Sequence, residues 1–162
     1  DILPNSSIIN IFFSENLLNN FSGMNWYSYC NCLSTMEREK RILIVEPDIK
    51  MSEKLCNIFR KEKFVVHATD RASEAIRNLQ KEHFTVGIMD VWVQDMAWDE
   101  MFPIVKGLHP SLPIIMTSEQ NSPELEVSIL RHRAFYYHVK SFGTEDLILA
   151  VRNAIEKSLT HG

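Results

Sequence analysis

The stretch Phe84-Thr85-Val86-Gly87-Ile88-Met89-Asp90 decides how this chain is read. A mostly apolar run without polar alternation stops at a carboxylate. Such a run fits a strand covered on both faces, as strands in parallel sheets are. Three other runs are built alike. Arg41-Ile42-Leu43-Ile44-Val45 stops at Glu46, Pro113-Ile114-Ile115-Met116-Thr117 at Ser118, and Phe135-Tyr136-Tyr137-His138-Val139 at Lys140. In an open parallel sheet the carboxyl ends of the strands share one edge, and ligands bind there. Two acids, a hydroxyl and an ammonium at that edge suit a magnesium ion and a phosphoryl group.

From residue 38 onward, strand-like runs alternate with helical patterns, five of each. That alternation implies parallel strands joined by crossover helices. Asp48 is the expected N-cap of the first helix, with Met51, Leu55, Ile58 and Phe59 on its inner face. Phe64 to Ala68 reads as the second strand. The second helix is expected to follow Asp70, with Ala72, Ala75, Ile76 and Leu79 inward. The third helix is placed within Trp98 to Lys106, where Pro103 should kink or end it. Ser122 and Pro123 form a good start for the fourth helix. The fifth follows Thr144, with Glu145 and Asp146 complementing its dipole and Leu147, Val151, Ala154 and Ile155 inward.

A length of 162 residues favours one domain, and a net charge of −4 gives no basic face for nucleic acid. Cys30 and Cys32 lack the second pair that a zinc site of about four ligands needs, and Cys56 falls on a helical apolar face. No apolar run approaches the roughly 18 residues of a membrane span. The first 35 residues contain no Lys or Arg, so the positive start of a secretory signal is missing. Residues 1–37 read as an N-terminal extension and 38–160 as the domain. The alternative for the extension is an amphipathic arm packing through Ile8, Ile9, Phe12 and Phe13. A cytoplasmic location is expected. His67, His83, His109, His132 and His138 show no ligand spacing and are expected to be structural or surface residues.

Residues from about 39 to 158 resemble the receiver domain of bacterial two-component response regulators. The matching pieces are Ile42-Leu43-Ile44-Val45-Glu46, Met89-Asp90, Leu112-Pro113-Ile114-Ile115-Met116 and Ala134-Phe135-Tyr136-Tyr137-His138-Val139-Lys140, with Phe142 and Leu147 downstream. Their order and spacing carry the likeness. It implies an α/β, flavodoxin-like, doubly wound five-stranded parallel sheet with five helices. It further implies Asp90 as the phosphoacceptor, Ser118 as the switch hydroxyl and Lys140 as the phosphate-binding lysine. Thr117 is the alternative hydroxyl if the strand register differs by one. Tyr137 lies at the position of the family's switch aromatic. Magnesium would be held by Glu46, Asp90 and the backbone carbonyl of Trp92, with Asp48 as an acid that could swing in. The implied partners are a sensor histidine kinase or phosphotransfer protein, and an unknown output protein on the face of helix four, strand five and helix five. No DNA-binding segment follows the last helix, so output is expected through a partner or a longer protein. Neither direct nucleic acid binding nor a membrane is expected.

The departures from the family pattern define the competing reading. Pro47 stands where a second acid is usual, which should weaken magnesium binding. Trp98 replaces a glycine and cannot easily take positive φ. Ser141 replaces the proline after the lysine, and Glu119 replaces a small residue beside the switch hydroxyl. These favour a pseudo-receiver, an interaction module working without phosphate. A flavodoxin-like enzyme is the weakest reading, because no Ser/Thr/Gly-rich loop follows the first strand to cradle a flavin phosphate.

Overall fold

The computed structural model describes residues 39–160. The extension, its amphipathic-arm alternative and the Cys30/Cys32 pair lie outside the described residues. Strands β1 (Arg41–Val45), β2 (Val65–Thr69) and β3 (Val86–Asp90) are followed by a short ribbon of β4 (Trp92–Val93) and β5 (Met96–Ala97), then by β6 (Ile114–Ser118) and β7 (Tyr136–Val139). Helices α1 (Ile49–Lys61), α2 (Ala72–Lys81), α3 (Trp98–Leu108), α4 (Pro123–Arg131) and α5 (Glu145–Thr160) separate them. Five strands form one sheet in the order β2-β1-β3-β6-β7, with every neighbouring pair parallel. This is the doubly wound fold expected. Among the described residues, no helix is long and apolar enough to cross a membrane.

Both faces of the sheet are covered, which is why its strands carry no polar alternation. Leu43, Val45, Met89 and Met116 pack with Ala72, Ala75 and Leu79 of α2, Met101, Phe102 and Val105 of α3, and Ile129 of α4. Ile42, Ile44, Ile88 and Ile115 pack on the other face with Leu55, Cys56 and Phe59 of α1 and Leu147, Val151, Ala154 and Ile155 of α5. The helical stripes read from the sequence are therefore the buried ones. Met51, Ile58 and Ile76 are only partly buried.

Helix ends show which local signals hold. Asp48 accepts from the Met51 amide at 2.7 Å, and Ser122 from the Leu125 amide at 3.2 Å. Asp70 does not cap α2. It is exposed, and the N-cap position falls to Arg71, whose side chain makes no cap hydrogen bond. The acceptor comes instead from Asp95, at the turn between β4 and β5. Its carboxylate takes the amides of Ala72 at 2.8 Å and Ser73 at 3.0 Å.

Helix α3 does not stop at Pro103 but runs on to Leu108. Pro103 and Ile104 are exposed, while Met101, Phe102 and Val105 face the core. The missing amide therefore leaves the Asp99 carbonyl on the wet side, where water can serve it. Trp98 needs no positive φ, because it is the first residue of α3. Among the described residues, positive φ at non-glycine positions occurs only at Lys63 and Arg133, just past the ends of α1 and α4. No described peptide bond is cis. Replacing Pro103 by Ala should stabilise the fold by about 1–2 kcal/mol, since it restores the helical bond at the cost of a freer unfolded chain. Urea unfolding measures it, and an unchanged midpoint would mean that the proline is accommodated without strain.

Candidate functional site

Register sets the site before any side chain is considered. Val45 pairs with Met89, Asp90 with Thr117, and Thr117 with His138. Glu46 follows Val45 and thus lies level with Asp90. By strand alternation Asp90, Thr117 and His138 share the parity of Ile88 and Ile115, which belong to the α1/α5 face. A row of polar residues therefore crosses the sheet at its carboxyl edge. All are buried: Glu46 and His138 at 3% exposure, Asp90 at 3% and Thr117 at 1%.

Lys140 closes this row. It begins the 3-10 turn Lys140–Phe142 at the end of β7 and is itself buried. Its ammonium donates to Glu46 Oε1 at 2.8 Å, approaches Oε2 at 2.7 Å and meets Asp90 Oδ2 at 2.5 Å. Glu119 reaches the same ammonium at 3.4 Å from an exposed position. Backbone amides hold the other side of each acid. Asp48 N–H donates to Glu46 Oε1 at 3.1 Å, and Trp92 N–H donates to Asp90 Oδ1 at 2.6 Å.

One ammonium thus serves two buried carboxylates. Burial pushes the Glu46 carboxyl above its usual range, and the hydrogen bond and charge of Lys140 only partly oppose this. Burial pulls the Lys140 ammonium down, but hydrogen bonds to Asp90 and Glu46 outweigh it and leave the group above its usual value. The two directions agree physically. The pocket stabilises the charged lysine, while burial and the charge of Asp90 make Glu46 easier to protonate than a free carboxyl. His138 moves the opposite way. Burial lowers it, against a hydrogen bond with the Gly143 backbone and the charge of Asp146 on α5, and with the help of Lys140's charge.

The remaining candidates divide clearly. Ser118 is fully buried, and its Oγ accepts from the Gln120 amide at 3.0 Å. The Tyr137 hydroxyl donates to the Gln120 carbonyl at 2.7 Å, with the ring turned inward. Gln120 thus links the two through its own backbone N–H and C=O. Thr117 Oγ1 is buried and has no hydrogen-bond partner. The structure does not bring the Asp48 carboxylate to the site, since it is exposed and engaged in capping α1. The Trp92 side chain points to solvent at 67% exposure, while its amide is engaged with Asp90. The burial of His138 and the bonding of Asp95 were not readable from the chain, because both follow from neighbours distant in sequence.

Among the described residues, no group of three or more His, Cys, Asp or Glu side chains is placed to hold an ion. The oxygens present still suit magnesium. Glu46 and Asp90 already converge on one cation, the lysine ammonium, and magnesium commonly binds through one or two carboxylates with several waters retained.

The chain as a whole is similar to known proteins. The family model described as the response regulator receiver domain matches residues 42–152. The chain belongs to that family. It is similar to the nitrogen assimilation regulatory protein NtrX of Azorhizobium caulinodans, 25% identical over 117 residues, which are 71% of this chain and 26% of that protein. The regulatory protein AtoC of Escherichia coli is 26% identical over 116 residues, 72% of this chain and 25% of that protein. The chain thus spans about a quarter of the length of the curated relatives it matches. Among solved structures, a CheY-like receiver domain protein from Methanospirillum hungatei superposes with a TM-score of 0.71 at 26% identity, covering 76% of this chain and 98% of that one.

Two predictions follow from the electrostatics. Lys140→Met leaves two buried acids uncompensated and should destabilise the fold at pH 7 by about 3–5 kcal/mol. Because Glu46 is raised in the folded state, its protonated form supports folding below the unfolded value of 4.5 and loses that support as pH rises. The Lys140→Met deficit should therefore shrink on acidification. Urea unfolding at several pH values tests this, and a deficit independent of pH would refute the shared-ammonium account. His138 is lowered in the folded state, so its contribution is present above the unfolded value of 6.5 and lost as pH falls. His138→Leu should flatten the fall in stability below that pH.

Proposed function

We propose that this chain is a phosphorelay receiver in which Asp90 accepts a phosphoryl group from a sensor histidine kinase or phosphotransfer protein and thereby changes partner binding. The observation that supports it best is the ammonium of Lys140 set between Glu46 and Asp90 in a buried, amide-lined pocket. Oδ2 of Asp90 faces the lysine and is the attacking oxygen. It forms a new bond to phosphorus as the bond to the donor imidazole nitrogen breaks, and the imidazole leaves with its electron pair. The product is an acyl phosphate. Magnesium, held by Glu46, Asp90 and the Trp92 carbonyl, would neutralise charge on the phosphoryl oxygens. Lys140 releases Glu46 to hold one phosphoryl oxygen, and the Ser118 hydroxyl donates to another.

The link from site to surface runs through Gln120. When the Ser118 hydroxyl turns to the phosphoryl group, the Gln120 N–H loses its tie, and the hydrogen bond from Tyr137 to the carbonyl of the same residue is altered. Val127 and Leu130 on α4, Tyr136 on β7 and Leu149 on α5 are exposed and offer the responding face. A phosphoryl group can shift that face only by binding the switched form better. The output partner is a protein that reads this face, and this chain itself acts in the cytoplasm without direct contact to nucleic acid or membrane.

A pseudo-receiver reading is favoured by Glu119. Its carboxylate lies 3.4 Å from the ammonium that phosphate would need, and Pro47 supplies no acid. One experiment separates the readings. The full chain is titrated with beryllium fluoride and magnesium, an acyl-phosphate mimic, while tryptophan emission is followed. A saturable, magnesium-dependent change that is abolished in Asp90→Asn is expected, and Glu119→Ala should tighten the half-saturation about two- to fivefold, the range of an exposed charge contact. A folded protein that does not respond would sink the phosphoacceptor reading and leave the pseudo-receiver.

A further inference from the structure

Asp95 makes a connection that neither its local sequence nor the phosphoacceptor chemistry requires. It sits with Gln94 in the two-residue turn of the β4–β5 ribbon, five residues after Asp90. Both of its carboxylate oxygens are spent on another element, the first amides of α2 at Ala72 and Ser73. The helix that follows its own ribbon, α3, receives no such help, since its N-cap residue is Ala97. The N-terminus of a helix carries orphan amides and the positive end of the dipole, so a carboxylate there is firmly held. Arg71, the N-cap of α2, offers no acceptor of its own, which leaves the position to Asp95. Hydrogen bonds from Ser73 and Ala72 outweigh the opposing effect of burial and hold the Asp95 carboxyl below its usual range.

The other end of the same ribbon touches the acid at the centre of the site. Trp92 of β4 gives its amide to Asp90 Oδ1 at 2.6 Å, and Trp92 pairs with Ala97 across the ribbon. The segment after Asp90 is thus pinned at both ends, to the carboxylate at Trp92 and to a helix at Asp95. The family position occupied by Trp98 usually lends this loop its bend through glycine, and here that residue is already helical.

We infer that Asp95 is a positioning residue for the phosphoacceptor, tethering the β4–β5 ribbon to the N-terminus of α2 so that the Trp92 backbone is held against Asp90. Its catalytic consequence rests on the phosphoacceptor reading, whereas the tether itself does not. Removing the carboxylate removes a helix cap as well as a tether, and the two roles must be separated. Arg71→Ser does so, because serine at the N-cap position supplies α2 with a local acceptor while leaving the ribbon untied.

The test compares the full-length wild type, Asp95→Ala and the double variant Asp95→Ala/Arg71→Ser. Thermal unfolding, hydrogen exchange of the Trp92 amide by NMR, and half-saturation by beryllium fluoride with magnesium are measured on each. The double variant is expected to melt near the wild type, to exchange the Trp92 amide about tenfold faster, and to need about tenfold more beryllium fluoride, as befits a lost positioning contact. Recovery of all three measurements in the double variant would overturn the inference and reduce Asp95 to a cap. If the wild type does not bind beryllium fluoride, the phosphoacceptor reading fails, and the Trp92 exchange rate still decides whether Asp95 is a tether.

Discussion

A single ammonium shared by two buried carboxylates is the constraint on which the rest of this structure depends. Glu46 and Asp90 end adjacent strands at the same level, where two anions away from water would repel each other. They coexist because Lys140, at the end of the last strand, reaches both. Its bond to Glu46 joins positions 94 residues apart and ties β7 to β1 across the width of the sheet edge. A buried ion pair of this kind is weak evidence for stability, since desolvation offsets much of the attraction. Its presence at a ligand-binding edge is better explained by chemistry, and it gives an anion entering the pocket a charge to compete for.

Two lines of hydrogen bonds run outward from this centre. One passes from Ser118 through the backbone N–H and C=O of Gln120 to Tyr137, on the side of α4 and β7. The other passes from Asp90 through Trp92 and the β4–β5 ribbon to Asp95 and α2. Each uses a backbone group as its intermediate. Each line ends in a side chain, Tyr137 in one and Asp95 in the other, so the frame and individual side chains hold the site together.

The departures from the family pattern gather around the site but leave the frame in place. Pro47 fits the turn between β1 and α1. Trp98 opens α3 and packs edge-on against His132 at the end of α4, with ring centroids 5.3 Å apart. Ser141 follows the lysine within a short 3-10 turn. Glu119 changes the charge at the mouth without disturbing the Ser118 turn beside it. The sheet is indifferent to these residues, because its order follows from strands and helices that pack elsewhere.

The sequence by itself determined the order of elements, the inner stripes of the helices and the strand ends where chemistry collects. These depend on periodicity and on runs of apolar residues, which are local properties. Local caps such as Asp48 and Ser122 were legible for the same reason, since acceptor and amide lie three residues apart. Strand limits were displaced by a residue or two, as at Thr69 and Ser118, because hydrogen-bond ladders end where the neighbouring strand ends. Tertiary structure alone decided that Lys140 bridges both acids, that Asp48 turns away, that His138 and Thr117 are buried, and that Asp95 caps a helix 23 residues before it. Each of these outcomes is set by which groups the crossovers bring within hydrogen-bond reach, and no spacing along the chain records that.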